Sequence, residues 1–158
     1  MNHDTEHGGD VKQRIYPIFL LASLLIFFAT CLYAGDLHII KEKHVTVVFD
    51  PSLRSAAQDV AGMFPHLKAN LAREIGWDLN LIPSVLLIKD RKLFQRMAES
   101  TLTVAFAVPA RNMIVIDYTR MLVRPFSLDI TLKHELCHLL LHHHIRGHDF
   151  PRWLDEGV

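Results

Sequence analysis

Residues 15–34 place the strongest constraint on how this chain can fold. They read I-Y-P-I-F-L-L-A-S-L-L-I-F-F-A-T-C-L-Y-A without a single charge, and their length matches the ~20 residues with which an apolar helix crosses a bilayer. Such a run is a membrane segment or an export signal, and it sets the N-terminus apart from whatever folds behind it. Roughly 120 residues then remain, enough for one hydrophobic core. Lys12 and Arg14 precede the run, which favours a cytoplasmic tail over residues 1–14 and a translocated domain over residues 36–158. Lys41 and Lys43 on the far side reduce that contrast. A cleaved signal has an apolar core of ~7–15 residues and small residues at the cleavage site. Leu32 and Ala34 meet only half of that pattern, so an uncleaved anchor is favoured over secretion after cleavage. The domain is accordingly expected to be membrane-anchored and extracytoplasmic, in the periplasm or outside the cell.

The 17 basic and 17 acidic residues balance, which offers neither a basic surface for nucleic acid nor a field that would steer an acidic substrate. Of the two cysteines, Cys31 lies in the apolar run and Cys137 far from it, so no intradomain disulfide is expected. Cys31 reads as a small membrane-embedded residue rather than a lipid attachment site.

Within the domain, His44 to Phe49 alternates and is rich in β-branched residues, as a strand should be. Asp50-Pro51-Ser52 stops it and offers Ser52 as a helix N-cap. Leu53, Ala56, Ala57, Val60, Ala61 and Phe64 follow at helical spacing. Pro65 should kink or restart that helix, Leu67, Leu71 and Ile75 continue the stripe, and Gly76 should end it. Ser84 to Ile88 is an apolar run of strand length, suited to burial on both faces. Asp90 to Glu99 reads as a short helix with Leu93, Phe94 and Met97 turned inward. Leu102 to Val108 and Met113 to Tyr118 read as strands joined by a turn over residues 109–112. Met121 to Pro125 leads to Ser127, the expected N-cap of a last helix. The order β-α-β-α-β-β-α predicts an α+β domain with a mixed sheet.

That last helix contains T-L-K-H-E-L-C-H-L-L-L over Thr131 to Leu141. Leu132, Leu136, Leu139 and Leu140 recur at core spacing, which leaves His134 and His138 on a ridge beside them. Histidines four apart are about 40° from eclipsed and roughly 6 Å apart along the axis, so both imidazoles can reach one metal ion. Glu135 stands one step round the helix, placed to act on a water at that metal. Two neutral nitrogen ligands, a base and an open position are what a zinc hydrolase requires.

A catalytic zinc takes a third protein ligand, and two residues compete for that place. His144 lies six residues past His138, the metzincin spacing, but that pattern needs glycine where Leu141 stands, because the chain must leave the helix there. Glu156 lies in W-L-D-E-G (Trp153 to Gly157), after Gly147 and Pro151, which can break the first helix and let a second begin near Arg152. His142, His143, His144 and His148 otherwise suit a partly exposed helix end, where cations complement the dipole. His142 shares the ridge of His134 and His138 and has a cleft-lining role as its alternative.

At these residues the chain resembles the glutamate-zincins, the MA-clan metallopeptidases in which H-E-x-x-H is followed by a W-L-x-E-G helix. It is most similar to the small peptidase-MA-like domains of membrane or exported proteins. The resemblance covers about Thr103 to the end. It implies a zincin-like N-terminal lobe, a Zn2+ ion held by His134, His138 and Glu156, Glu135 as general base, and a peptide or protein substrate. By the same analogy the strand Met113 to Tyr118 would be the sheet edge along which an extended peptide pairs. The interval from His138 to Glu156 is about one residue shorter than in the aminopeptidase branch. The sequence stops at Val158, before the C-terminal part that in the family usually supplies a transition-state-stabilising residue. Little activity is therefore expected of the 158-residue form, and a membrane-anchored zincin-like scaffold or binding module without catalysis is the alternative function.

Overall fold

The structure, a computed structural model, describes residues 36–145 apart from residues 79 and 99. The apolar run 15–34 with Cys31, and the segment carrying His148 and Glu156, lie outside the described residues. Among the described residues no helix is long and apolar enough to cross a membrane.

A five-stranded mixed sheet carries the fold. Its strands are β1 (His38–Lys41), β2 (Thr46–Phe49), β3 (Ser84–Ile88), β4 (Ala105–Val108) and β5 (Met113–Asp117), in the spatial order β1-β2-β3-β5-β4. The central pairings β2–β3 and β3–β5 are parallel, and the two outer pairings are antiparallel. Among the described residues four helices accompany the sheet: α1 (Arg54–Ile75), α2 (Arg91–Met97), α3 (Tyr118–Met121) and α4 (Leu128–His144). The α+β architecture with a mixed sheet is thus the one the element order implies.

Strand alternation sorts the side chains into two layers. Val47, Val85 and Ile114 are register partners, as are Phe49, Leu87, Ile116 and Ala105. All of these belong to the main core, with Ala57, Val60, Phe64 and Leu71 of α1 and Leu132, Leu136, Leu139 and Leu140 of α4. On the opposite face Ile88 and Val115 pack with Phe94 of α2. β3 and β5 are therefore covered on both sides, which is why they read as unbroken apolar runs.

Several local expectations are corrected. Asp50, not Ser52, is the cap: its carboxylate accepts from the Ser52 backbone N–H at 3.0 Å and the Ser52 hydroxyl at 2.6 Å. A short 3-10 turn (Pro51–Leu53) then leads into α1. Pro65 neither ends nor restarts the helix, since α1 runs through it for 22 residues. A buried proline-flanking Phe64 and a buried Leu71 hold both halves on the core, and this packing outweighs the ~3 kcal/mol cost of an interior proline. Gly76 does end the helix, at φ 79°, with its N–H donating to Ala72 O at 2.9 Å.

In α2 only Phe94 is buried, whereas Leu93 and Met97, expected inside, are 42% and 43% exposed. A helix of seven residues presents one anchoring position to the sheet, and the others point past its margin. The strand expected from Leu102 begins at Ala105, and Leu102 itself is exposed. The strand expected to reach Tyr118 stops at Asp117, whose carboxylate accepts from the Thr119 backbone N–H at 3.1 Å and starts α3. β1 and α3 were not expected at all. Most consequentially, β5 is not the sheet edge. It lies between β3 and β4, and β4 is the edge, because four of the five β5 side chains are buried and need neighbours on both sides.

Candidate metal centre

α4 is fixed by its leucines. Leu132, Leu136, Leu139 and Leu140 are at most 1% exposed, so the helix cannot turn about its axis without exposing a large apolar area. That holds the adjoining ridge of His134 and His138 half-buried at the margin of the core. The N-terminus of the helix is set by position more than by a capping bond: Ser127 O accepts from Thr131 N at 3.0 Å, while the Ser127 hydroxyl donates to Asp129. That hydroxyl holds the Asp129 carboxyl below its usual range, and the resulting negative charge lies in the first turn, where the helix dipole favours it.

The two imidazoles converge. Their Nε2 atoms are 3.0 Å apart, with the ring planes at 90° and centroids at 4.6 Å. Two nitrogens bound to one tetrahedral zinc at ~2.0–2.1 Å would be ~3.3 Å apart. The observed pair therefore needs to open by only a few tenths of an ångström to share a cation. Without a cation the same geometry is a hydrogen bond in which one ring donates and the other accepts.

Glu135 is 6% exposed and, with Asp117, is one of the two buried charged side chains among the described residues. Its backbone places it about 100° round the helix from His134, between the histidine ridge and the leucine stripe.

His144 is committed elsewhere. Its ring stacks on Trp77 with centroids 4.9 Å apart and planes at 12°, and its Nδ1 lies 3.1 Å from Leu140 O. It continues the face on which Lys133 pairs with Glu74 of α1 at 2.6 Å. Leu141 remains helical and buried, so the chain does not leave the helix where a metzincin must. Six residues beyond His138 in an unbroken helix is a rotation of about 240°, which turns His144 away from the pair.

His142 and His143 line a cleft of about 290 Å³ with Leu139 and with Pro109, Ala110 and Asn112 of the β4–β5 turn. This is the cleft-lining place considered for His142. Cys137 is buried, and that burial raises its thiol pKa, which makes it an inert core residue.

Asp117 escaped the sequence reading. Fully buried, it accepts from Arg91 Nη1 at 2.6 Å and from the Thr119 hydroxyl at 2.5 Å. Arg91 also donates to Thr101 O at 3.1 Å. The group ties the end of β5 to the start of α2 and to the loop before β4. Only the D-x-T pattern of an N-cap could have signalled it.

Among the described residues no group of three histidine, cysteine, aspartate or glutamate side chains gathers to hold a metal, and Glu156 lies outside them. No family model, no curated protein and no solved structure matches the chain.

Proposed function

We propose that the chain is a zinc-dependent metallopeptidase of the glutamate-zincin type, anchored through residues 15–34 with its domain outside the cytoplasm. The observation that carries this reading is the convergence of the His134 and His138 Nε2 atoms to 3.0 Å beside a buried glutamate. The donor set fits Zn2+: two imidazoles from one helix, with Glu156 as the third ligand that the W-L-D-E-G resemblance supplies. Zinc held there would lower the pKa of a water toward ~7 and polarise a peptide carbonyl.

The protein's own part in the reaction falls to Glu135. It takes a proton from the attacking water and returns it to the leaving amine. The substrate edge is β4 in place of β5. As an edge strand β4 presents one row of backbone donors and acceptors to an incoming extended peptide, and it leads into the turn that borders the His142–His143 cleft.

Metal analysis tests the reading. About one zinc per chain is expected, and a stoichiometry unchanged in the His134→Ala/His138→Ala double variant would sink it. Glu156→Ala should weaken zinc binding far more than His144→Ala, and the reverse ranking would restore the metzincin ligand set.

A further inference from the structure

Strand β1 leaves an apolar face uncovered. Ile40 packs on the main core, so strand alternation turns Ile39 and Lys41 to the other side of the sheet, and Leu37 immediately precedes the strand. Leu37 is 58% exposed and Ile39 56%. On that side α2 packs against β3 and β5, and Phe94 covers Ile88 and Val115. The β1 end of the sheet is beyond its reach, although the cross-strand partner of Ile39 is another apolar residue, Val48. An exposed apolar edge strand is a liability that proteins ordinarily cover or charge.

The chain length says what covers it. Leu37 follows Ala34, the last residue of the apolar run, by three residues, a reach of at most ~11 Å, and Ile39 by five, at most ~18 Å. The headgroup layer on each side of a bilayer is ~5–8 Å deep. A strand rising straight from the membrane would carry Ile39 ~7 Å above Leu37 and leave both apolar side chains in water. A strand lying along the surface puts both at one depth and brings Lys41 and neighbouring Lys43 to the level of lipid phosphates.

We propose that Leu37 and Ile39, at the start of β1, lie in the headgroup layer of the membrane, so that this edge of the sheet rests on lipid. This deepens the anchored reading above and depends on residues 15–34 being inserted.

Depth-dependent quenching in the full chain tests this. In a Cys31→Ser background, with buried Cys137 retained, Ile39→Cys, Leu37→Cys and the exposed control Leu102→Cys would each be labelled with an environment-sensitive fluorophore. The proteins would be reconstituted into vesicles of phosphatidylcholine and phosphatidylglycerol, purified by flotation, and quenched with headgroup-spin-labelled lipid. Blue-shifted emission and several-fold stronger quenching at positions 37 and 39 than at 102 is the expected result. Equal quenching at all three in floated vesicles would overturn the proposal and leave the anchor intact. Failure to float would remove the anchor, and the proposal with it. A blue shift that grows with protein density while lipid quenching stays at the control level would assign the face to a second copy of the chain and equally overturn it.

Discussion

Asp117 and Asp50 show how differently two carboxylates in one domain can act. Asp117 is fully buried against Arg91, whose side chain is 31% exposed. Removing one partner of a fully buried pair costs ~3–5 kcal/mol. Because Arg91 reaches water, Asp117→Ala should lose about 2–4 kcal/mol, read as a lowered urea midpoint with an unchanged slope. A loss within experimental error would mean that the ion pair is ornamental. Asp50 is half-buried, and its carboxyl is held far below its ordinary value, first by the hydrogen bond from Lys89 and then by those from Ser52. A folded-state pKa lowered in this way adds stability that is present above the ordinary value of 3.8 and is lost as pH falls below it. Stability should thus fall on acidification below about pH 4, less steeply in Asp50→Asn than in the wild type. Parallel acid profiles for the two would contradict this. The histidine pair was legible at this scale because a spacing of four residues in a helix encodes its geometry. Asp117 was not, because its importance comes from Arg91, 26 positions earlier, and no local pattern links them.

Among the elements, α1 is the most instructive. Its apolar stripe correctly predicts the buried residues, yet Pro65 was expected to interrupt it. Local propensity counts only the missing N–H and the ring clash, whereas the helix also draws on Phe64 and Leu71 anchored in the core. Pro65 is itself exposed, so Pro65→Ala removes no packing and restores a donor toward Ala61 O. After offsetting the entropy that proline withholds from the unfolded chain, this should stabilise the domain by about 1–3 kcal/mol. Chemical denaturation would measure it, and a destabilised variant would show that Pro65 itself is needed for α1 to fit the sheet. The strands show a related limit. Ser84–Ile88 was legible to the residue because a strand covered on both faces is apolar at every position after Ser84. Which strand of the β4–β5 hairpin joins β3 was not, since a hairpin pairs its two strands identically either way and only the crossover through α2 decides.

At the scale of the whole molecule, the question is whether metal builds the fold or only uses it. The main core is made by Phe49, Phe64, Leu87, Ile114, Ile116 and Leu132, Leu136, Leu139 and Leu140 of α4, all at most 1% exposed. His134 and His138 stand at its margin and are not members of it. A structural zinc, by contrast, sits where no sufficient core exists, and its removal unfolds the domain. The full chain in detergent should therefore keep its near-ultraviolet circular dichroism in excess chelator. Zinc added back should raise the unfolding free energy only by mass action, about 2.7 kcal/mol at a hundredfold excess over the dissociation constant. That increment should vanish in the His134→Ala/His138→Ala variant, whose chelated form should otherwise unfold close to the wild type. Glu135→Gln should keep the zinc-dependent increment and, in a form extended beyond Val158 that cleaves peptide, lose cleavage by a factor of about 10²–10⁴, the usual share of a general base. Unfolding of the wild type by chelator would make the histidine pair a structural site. The buried glutamate beside it would then need another explanation, since a metal that completes a fold requires no base.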